Sequence, residues 1–336
     1  MSEASVRPAP AATLPAAPAV LAGEDGAPRM GLYSGAIADP GFSRLQPPWA
    51  ASFFERRFIE KTWQYAAVAT PEMMLAIAVI DTGYLASGIC AVFDRGSCRL
   101  LANENPVLPS VCASVDPAKA RLIGPGIDAR IERKDGQILI KATWAYTDID
   151  LALDASAAPA PITAVAPVGP PGRFDLTQKT VLMPAHGEVR TGNNRFAVEG
   201  QLAGLDYTHG YLARETAWRW AFANGRVNGR PVAFNFSEGF VQGEGENAVW
   251  TDGEPRPAGK ISFTFDGTSP ASPWHIRSED GRVDLVFHPE GYRAQTIDLM
   301  VISSRYVQPF GTFSGRLHDV EVHSLPGVAE DHTARW

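Results

Sequence analysis

From Trp63 onward the chain alternates apolar and polar side chains in short runs, each closed by glycine, proline or an Asn-Gly or Asp-Gly pair. Alternation with a period of two puts every second side chain on one face of a pleated strand. Asn-Gly and Asp-Gly supply the positive φ angles that tight hairpins need, so this grammar specifies antiparallel β structure. Strands are expected, among others, at residues 63–69, 74–80, 180–189, 195–202 and 216–222, with turns at Lys134-Asp135-Gly136, Gly192-Asn193-Asn194, Asn224-Gly225 with Asn228-Gly229, and Glu279-Asp280-Gly281. The 31 glycines and 27 prolines exclude a helical bundle, because both residues break helix interiors. Helix is expected only at residues 53–61, where Phe53, Phe54, Arg57 and Phe58 share a face, and for a turn or two at 116–122.

An uncharged Ala/Pro/Gly segment at 155–172 reads as a linker or a sheet-edge crossover, stiffened by proline. It divides the chain into residues 29–154 and 173–336, each of a size that suits one β-barrel, and an Ala/Pro-rich tail at 1–28 is expected to be disordered. Prolines interrupt any signal-peptide core in that tail, and the apolar run Met73 to Ile80 is far too short to span a bilayer. A cytoplasmic protein without a transmembrane segment is therefore expected. A formal charge of -7 is unsuited to neutralising a phosphate backbone, so nucleic acid is not an expected partner. Cys90, Cys98 and Cys112 are odd in number and form no C-x-x-C pair, which fits free thiols. The histidines lack metal-ligand spacing, and there is no P-loop and no G-x-S-x-G elbow. No metal and no organic cofactor are expected; whether the chain is a monomer or a homodimer stays open.

The densest polar chemistry lies between Gly204 and Asn224. Asp206 and His209, three residues apart, are candidates for a charge-assisted pair in which the carboxylate orients the imidazole for acid–base work, with Tyr207 and Arg214 as substrate-binding neighbours. In a strand over 216–222, Thr216, Trp218, Trp220 and Phe222 share one face, which suits either aromatic core or the wall of an apolar cavity. Glu238, Glu244 and Glu246 follow in a glycine-rich stretch. A carboxyl that enters an apolar pocket from there gains a raised pKa and becomes a proton donor near neutrality, and Glu238 and Glu246 are the candidates.

The segments Leu182-Met183-Pro184-Ala185-His186-Gly187, Asp206-Tyr207-Thr208-His209-Gly210, Ala213-Arg214-Glu215-Thr216 with Trp218-Arg219-Trp220-Ala221, Gly245-Glu246-Asn247-Ala248 with Asp252-Gly253, and Ala334-Arg335-Trp336 resemble the bacterial domain-of-unknown-function family numbered 2804. Lys61-Trp63-Tyr65 sits where that family carries an opening strand motif; Arg219 departs from it, standing where the family has Asn. The resemblance implies an all-β fold of two tandem lipocalin-like barrels with few short helices, akin to carotenoid 1,2-hydratases and lipocalin-like pericyclases. It also implies cofactor-free acid–base chemistry in an apolar cavity near the barrel contact. Two functions are expected on these grounds. One is a lyase, hydratase or isomerase for a hydrophobic isoprenoid or aromatic molecule, with Asp206, His209, Glu238 and Glu246 moving protons and Tyr207, Arg214, Trp218 and Trp220 binding. The other is a non-enzymatic carrier of an apolar ligand.

Overall fold

The computed structural model describes residues 13–336 apart from 244 and 252. Its strands form two antiparallel sheets, each curled into a lipocalin-like barrel. The first sheet runs in space from Arg99–Glu104 through Leu85–Asp94, Met73–Asp81, Glu60–Ala69, Asn194–Tyr211, Phe174–Thr191, Thr147–Asp154, Gln137–Trp144, Ile127–Lys134 and Lys119–Gly124 to Ala113–Val115. The last of these packs back against Glu60–Ala69 and Met73–Asp81, and the Gln64 amide donates to the Asp116 carbonyl at 2.6 Å across the seam. The second sheet runs from Pro255–Pro257 through Ala248–Trp250, Arg230–Glu238, Glu215–Val227, Val320–Arg335, Ser303–Leu317, Val283–Asp298 and Trp274–Ser278 to Ile261–Thr264. Two hairpin signals do what their chemistry requires: Asp135 and Gly136 take φ of 51° and 79°, and Asn228 and Gly229 take 52° and 80°. The expected turn at Asn224-Gly225 is instead part of the strand Glu215–Val227, where the two residues pair with Ala233 and Val232.

Both barrel interiors are filled. Leu75, Ile77 and Val79 point into the first with Trp144, Leu151 and Met183, while Phe234, Phe236, Trp274 and Phe313 fill the second. A third apolar cluster lies between the barrels and includes Met74, Ala76, Ala78, Phe93, Trp220, Phe222 and Phe310. The Met73–Asp81 strand is thus buried on both faces, which explains its unbroken apolar run. Glu215–Val227 is divided in the same way. Its small Ala221 and Ala223 face the second barrel interior, and its aromatic Trp220 and Phe222 face the first barrel.

Three expectations are corrected. Ile162–Pro167, inside the expected linker, is a strand paired with Gly31–Ser34 and Phe174–Thr191. It ends at Pro167, where a missing N–H costs least, and the chain passes between sheets later, at residues 212–214. Residues 13–28 of the expected disordered tail lie along the first barrel through bridges Ala16 to Ser34 and Val20 to Asp39, with Leu21 fully buried; residues 1–12 lie outside the described residues. Residues 119–124 are strand instead of helix, because ladder partners in Ile127–Lys134 outweigh local preference. The one α-helix among the described residues, Phe53–Ile59, falls where it was expected, capped reciprocally by Ser52 and Glu55.

Candidate functional site

The apolar contact between the barrels opens into a cavity of about 190 Å³. Both sheets contribute to its wall. Trp63 and Tyr65 come from Glu60–Ala69, Lys179 from Phe174–Thr191, and Asp206 from Asn194–Tyr211; facing them are Trp218, Trp220, Tyr306, Glu330 and His332. Ladder register assembles these groups. Asp206 is the cross-strand partner of both Lys179 and Tyr65, Trp220 is opposite Glu330, and His332 is opposite both Trp218 and Tyr306. Lys179, Asp206, Glu246 and Trp220 are buried at the floor, whereas Tyr84, Leu299, Ile302 and Trp336 are partly or largely exposed and mark the mouth.

Two polar groups interrupt the aromatic wall. At the first, the Lys179 ammonium lies 2.7 Å from Asp206 Oδ2 and 2.9 Å from Glu246 Oε2, with its Nζ 5.7 Å from the Trp220 ring centre. Burial opposes the charge on Lys179, but the two carboxylates outweigh it and raise the pKa above the ordinary lysine value. Thr177 and Thr208 donate to Asp206 Oδ1 at 3.1 and 3.2 Å. The loop bearing Glu246 is pinned by Asn235, which accepts from the Trp220 indole at 2.8 Å and donates to the Glu246 carbonyl at 3.0 Å. Behind this group Asp175 is fully enclosed, and burial together with Glu246 drives its pKa well above the carboxylate range.

The second group centres on Glu330. The Trp218 indole donates to Oε1 at 2.7 Å and Gln308 donates to Oε2 at 3.2 Å, while Gln308 Nε2 also lies 3.3 Å from the Tyr65 hydroxyl. Burial among aromatic rings raises the Glu330 pKa to about 7 against the lowering effect of the Trp218 hydrogen bond. His332, whose Nε2 is 2.8 Å from Ser304 Oγ, is driven down to about 3 by burial and is a neutral imidazole. The arrangement provides a fixed ammonium at the floor and a carboxyl that exchanges its proton near neutrality, within an aromatic enclosure. Among the described residues no group of three or more His, Cys, Asp or Glu is placed to hold a metal ion.

Of the residues singled out from sequence, Asp206, Glu246, Trp218 and Trp220 line this cavity. Tyr207 and His209 do not. An odd spacing along a strand sends two side chains to opposite faces, so Asp206 points into the cavity and His209 away from it. His209 stacks on Phe42 at 3.9 Å and pairs with Glu60 at 2.8 Å; that pairing and Arg56 hold the Glu60 carboxylate at about 2 although burial pushes it upward. Tyr207 joins the apolar cluster beneath the N-terminal segment. Glu238 is tied to Arg219 at 3.0 Å and accepts from the Phe263 N–H at the seam of the second barrel, and Arg214 lies outside the mouth, donating to the Val301 carbonyl. Glu244 lies outside the described residues. Sequence reading passed over Lys179, Glu330 and His332. Their signal was present as polar residues at a period of two, Asp175, Thr177 and Lys179 in one strand and Glu330 and His332 in another, on strands otherwise rich in buried apolar residues.

Among solved structures, an AttH-assigned protein from Nitrosomonas europaea aligns over 86% of this chain and 98% of its own, at 13% identity and a TM-score of 0.54. Kievitone hydratase from Nectria haematococca aligns over 85% and 92% at 10% identity and TM-score 0.46, and CghA over 94% and 97% at 12% identity and TM-score 0.46. At 13% identity the first likeness concerns the fold alone. No curated protein matches by sequence. The family model described as a domain of unknown function, DUF2804, matches residues 17–336, and the chain belongs to that family.

Proposed function

We propose that the inter-barrel cavity is the active site of a cofactor-independent hydratase or isomerase for a hydrophobic small molecule. The observation that carries this reading is Glu330, a buried carboxyl with a pKa of about 7 set in an aromatic wall. A general acid works best when its pKa lies near the working pH. In the proposed step Glu330 gives its proton to one carbon of a substrate double bond. Water adds oxygen to the neighbouring carbon and its surplus proton restores the carboxyl; in an isomerisation the proton instead leaves another carbon. The rings of Trp63, Trp218 and Trp220 stabilise positive charge developing on the substrate, and Lys179 receives a carbonyl or hydroxyl oxygen at the floor.

The test begins from the purified protein itself. Small molecules extracted from it are identified by mass spectrometry and returned to it in deuterium oxide and in 18O-water. Uptake of solvent deuterium, or of both isotopes for a hydratase, is expected, slowed at least about 100-fold in Glu330→Gln. A ligand recovered without label at any time would overturn the proposal and leave a carrier.

A further inference from the structure

The face of Val320–Arg335 that looks into the cavity, continued by Trp336, carries Glu330, His332, Ala334 and Trp336 in order from the enclosed end to the mouth. His332 is held in place by two ring contacts, Trp218 at 4.2 Å and Tyr306 at 5.2 Å between ring centres. Its two nitrogens are treated differently. Nε2 lies 2.8 Å from Ser304 Oγ, whereas Nδ1 is buried with no hydrogen-bond partner among the described residues. Glu330 Oε1 is 3.9 Å from Nδ1, beyond direct hydrogen-bond reach.

A buried ring nitrogen left dry is disfavoured, and a leucine or phenylalanine would fill the same place among these rings without that cost. Burial keeps the imidazole neutral. With its one proton on Nε2, donating to Ser304, Nδ1 presents a lone pair beside Glu330. A single water fits such a gap: two hydrogen bonds of about 2.8 Å close on 3.9 Å with about a right angle at the water oxygen. Ser303 and Ser304, half-buried lining residues opposite Arg335 and Ala334 in the ladder, continue a polar track from this point toward the mouth. Water thus has a route to Glu330 that does not cross the aromatic wall.

We propose that His332 seats the attacking water against Glu330, and that the cavity therefore hydrates a carbon–carbon double bond to an alcohol. This rests on the reading of Glu330 as the acid and decides between the hydratase and the isomerase. The π electrons of the double bond take the Glu330 proton, and the water oxygen bonds to the neighbouring cationic carbon. Of the two water protons, the one donated to Nδ1 stays on the new hydroxyl and the other returns to the Glu330 carboxylate, so charge and atoms balance. Because one carboxyl gives the proton and also faces the water, hydrogen and hydroxyl add to the same face of the double bond.

A crystal structure of the full chain tests the seat without any substrate. An ordered water within about 3.2 Å of both His332 Nδ1 and Glu330 Oε1 is expected. In 15N-histidine-labelled protein the signals lost in His332→Asn should report a proton on Nε2 and none on Nδ1. A gap without water, or a proton on Nδ1, would overturn the proposal. Incubation in deuterium oxide and 18O-water of the molecule extracted from the purified protein then separates water addition from proton transfer. Relative to deuterium at carbon, 18O incorporation should fall at least about tenfold in His332→Phe, which keeps an aromatic ring and lacks the acceptor. It should stay within about threefold of the wild type in His332→Asn, whose amide oxygen takes the place of Nδ1. An unchanged ratio in His332→Phe, deuterium uptake by the wild type without 18O, or deuterium and 18O on opposite faces of the product would each overturn the water seat while leaving Glu330 as an acid. A wild type that takes up neither isotope is instead the failure of the catalytic reading of the cavity, and hydration falls with it whatever water the crystal shows.

Discussion

Glu330 shows how one enclosed side chain couples chemistry to stability. Its pKa is about 7 in the folded protein against an ordinary 4.5, so between those values the folded state holds a proton that the unfolded chain releases. Stability therefore falls as pH rises through that window, and above about 7 the full cost of the buried charge is present. Glu330→Gln removes the titration while leaving an oxygen to accept from Trp218. The variant should match the wild type near pH 4 and exceed it at pH 8, by up to about 3 kcal/mol, in paired denaturant titrations. A stability difference that does not change with pH would show that Glu330 carries no raised pKa. Nothing local in the Val328-Ala329-Glu330-Asp331 sequence distinguishes Glu330 from Asp331. What separates them is that Glu330 meets Trp218 and Gln308, whereas Asp331 points out toward Arg219.

At the scale of the element, the Leu182 to Gly187 motif reads as a device for bending a strand. Leu182 takes φ of 59° at a register shift between Thr180 and Met183, and its N–H donates to Asn224 Oδ1 of the second barrel at 2.9 Å. Gly187 takes φ of 127°, and a Cβ there would run into the Asp150 carbonyl of the neighbouring strand. Gly187→Val is therefore expected to cost about 3 kcal/mol or more in urea unfolding, whereas His186→Ala, at an exposed side chain, should stay within about 0.5 kcal/mol. Equal effects at the two positions would refute the steric account. The motif was visible in the sequence. Its meaning was not, because the clash that requires glycine comes from a strand whose residue is far away in the chain.

For the whole molecule, the layer between the barrels decides whether there are two folding units or one. Phe93 and Phe310 stack across it at 5.3 Å, Tyr65 meets Trp220 edge-on at 5.3 Å, and Arg95 pairs with Glu290 at 2.8 Å. Because Met73–Asp81 is buried on both faces, losing either barrel would expose an apolar face of the other. A single calorimetric transition is expected, and Phe310→Ala should lower stability by about 3–5 kcal/mol with hydrogen exchange accelerated in both barrels. Two resolved transitions, or faster exchange in the second barrel alone, would contradict this coupling. The sequence by itself determined the all-β class, the hairpin turns and which side chains share a strand face, since period-two alternation and positive-φ turn residues act over a few neighbours. It could not say which face looks into a barrel and which toward the other barrel. That choice placed the passage between sheets at residues 212–214 instead of the proline-rich segment, turned Asp206 and not His209 into the cavity, and enclosed Lys179 and Glu330. Enclosure depends on partners distant in the chain, and desolvation by those partners gives the cavity its chemistry.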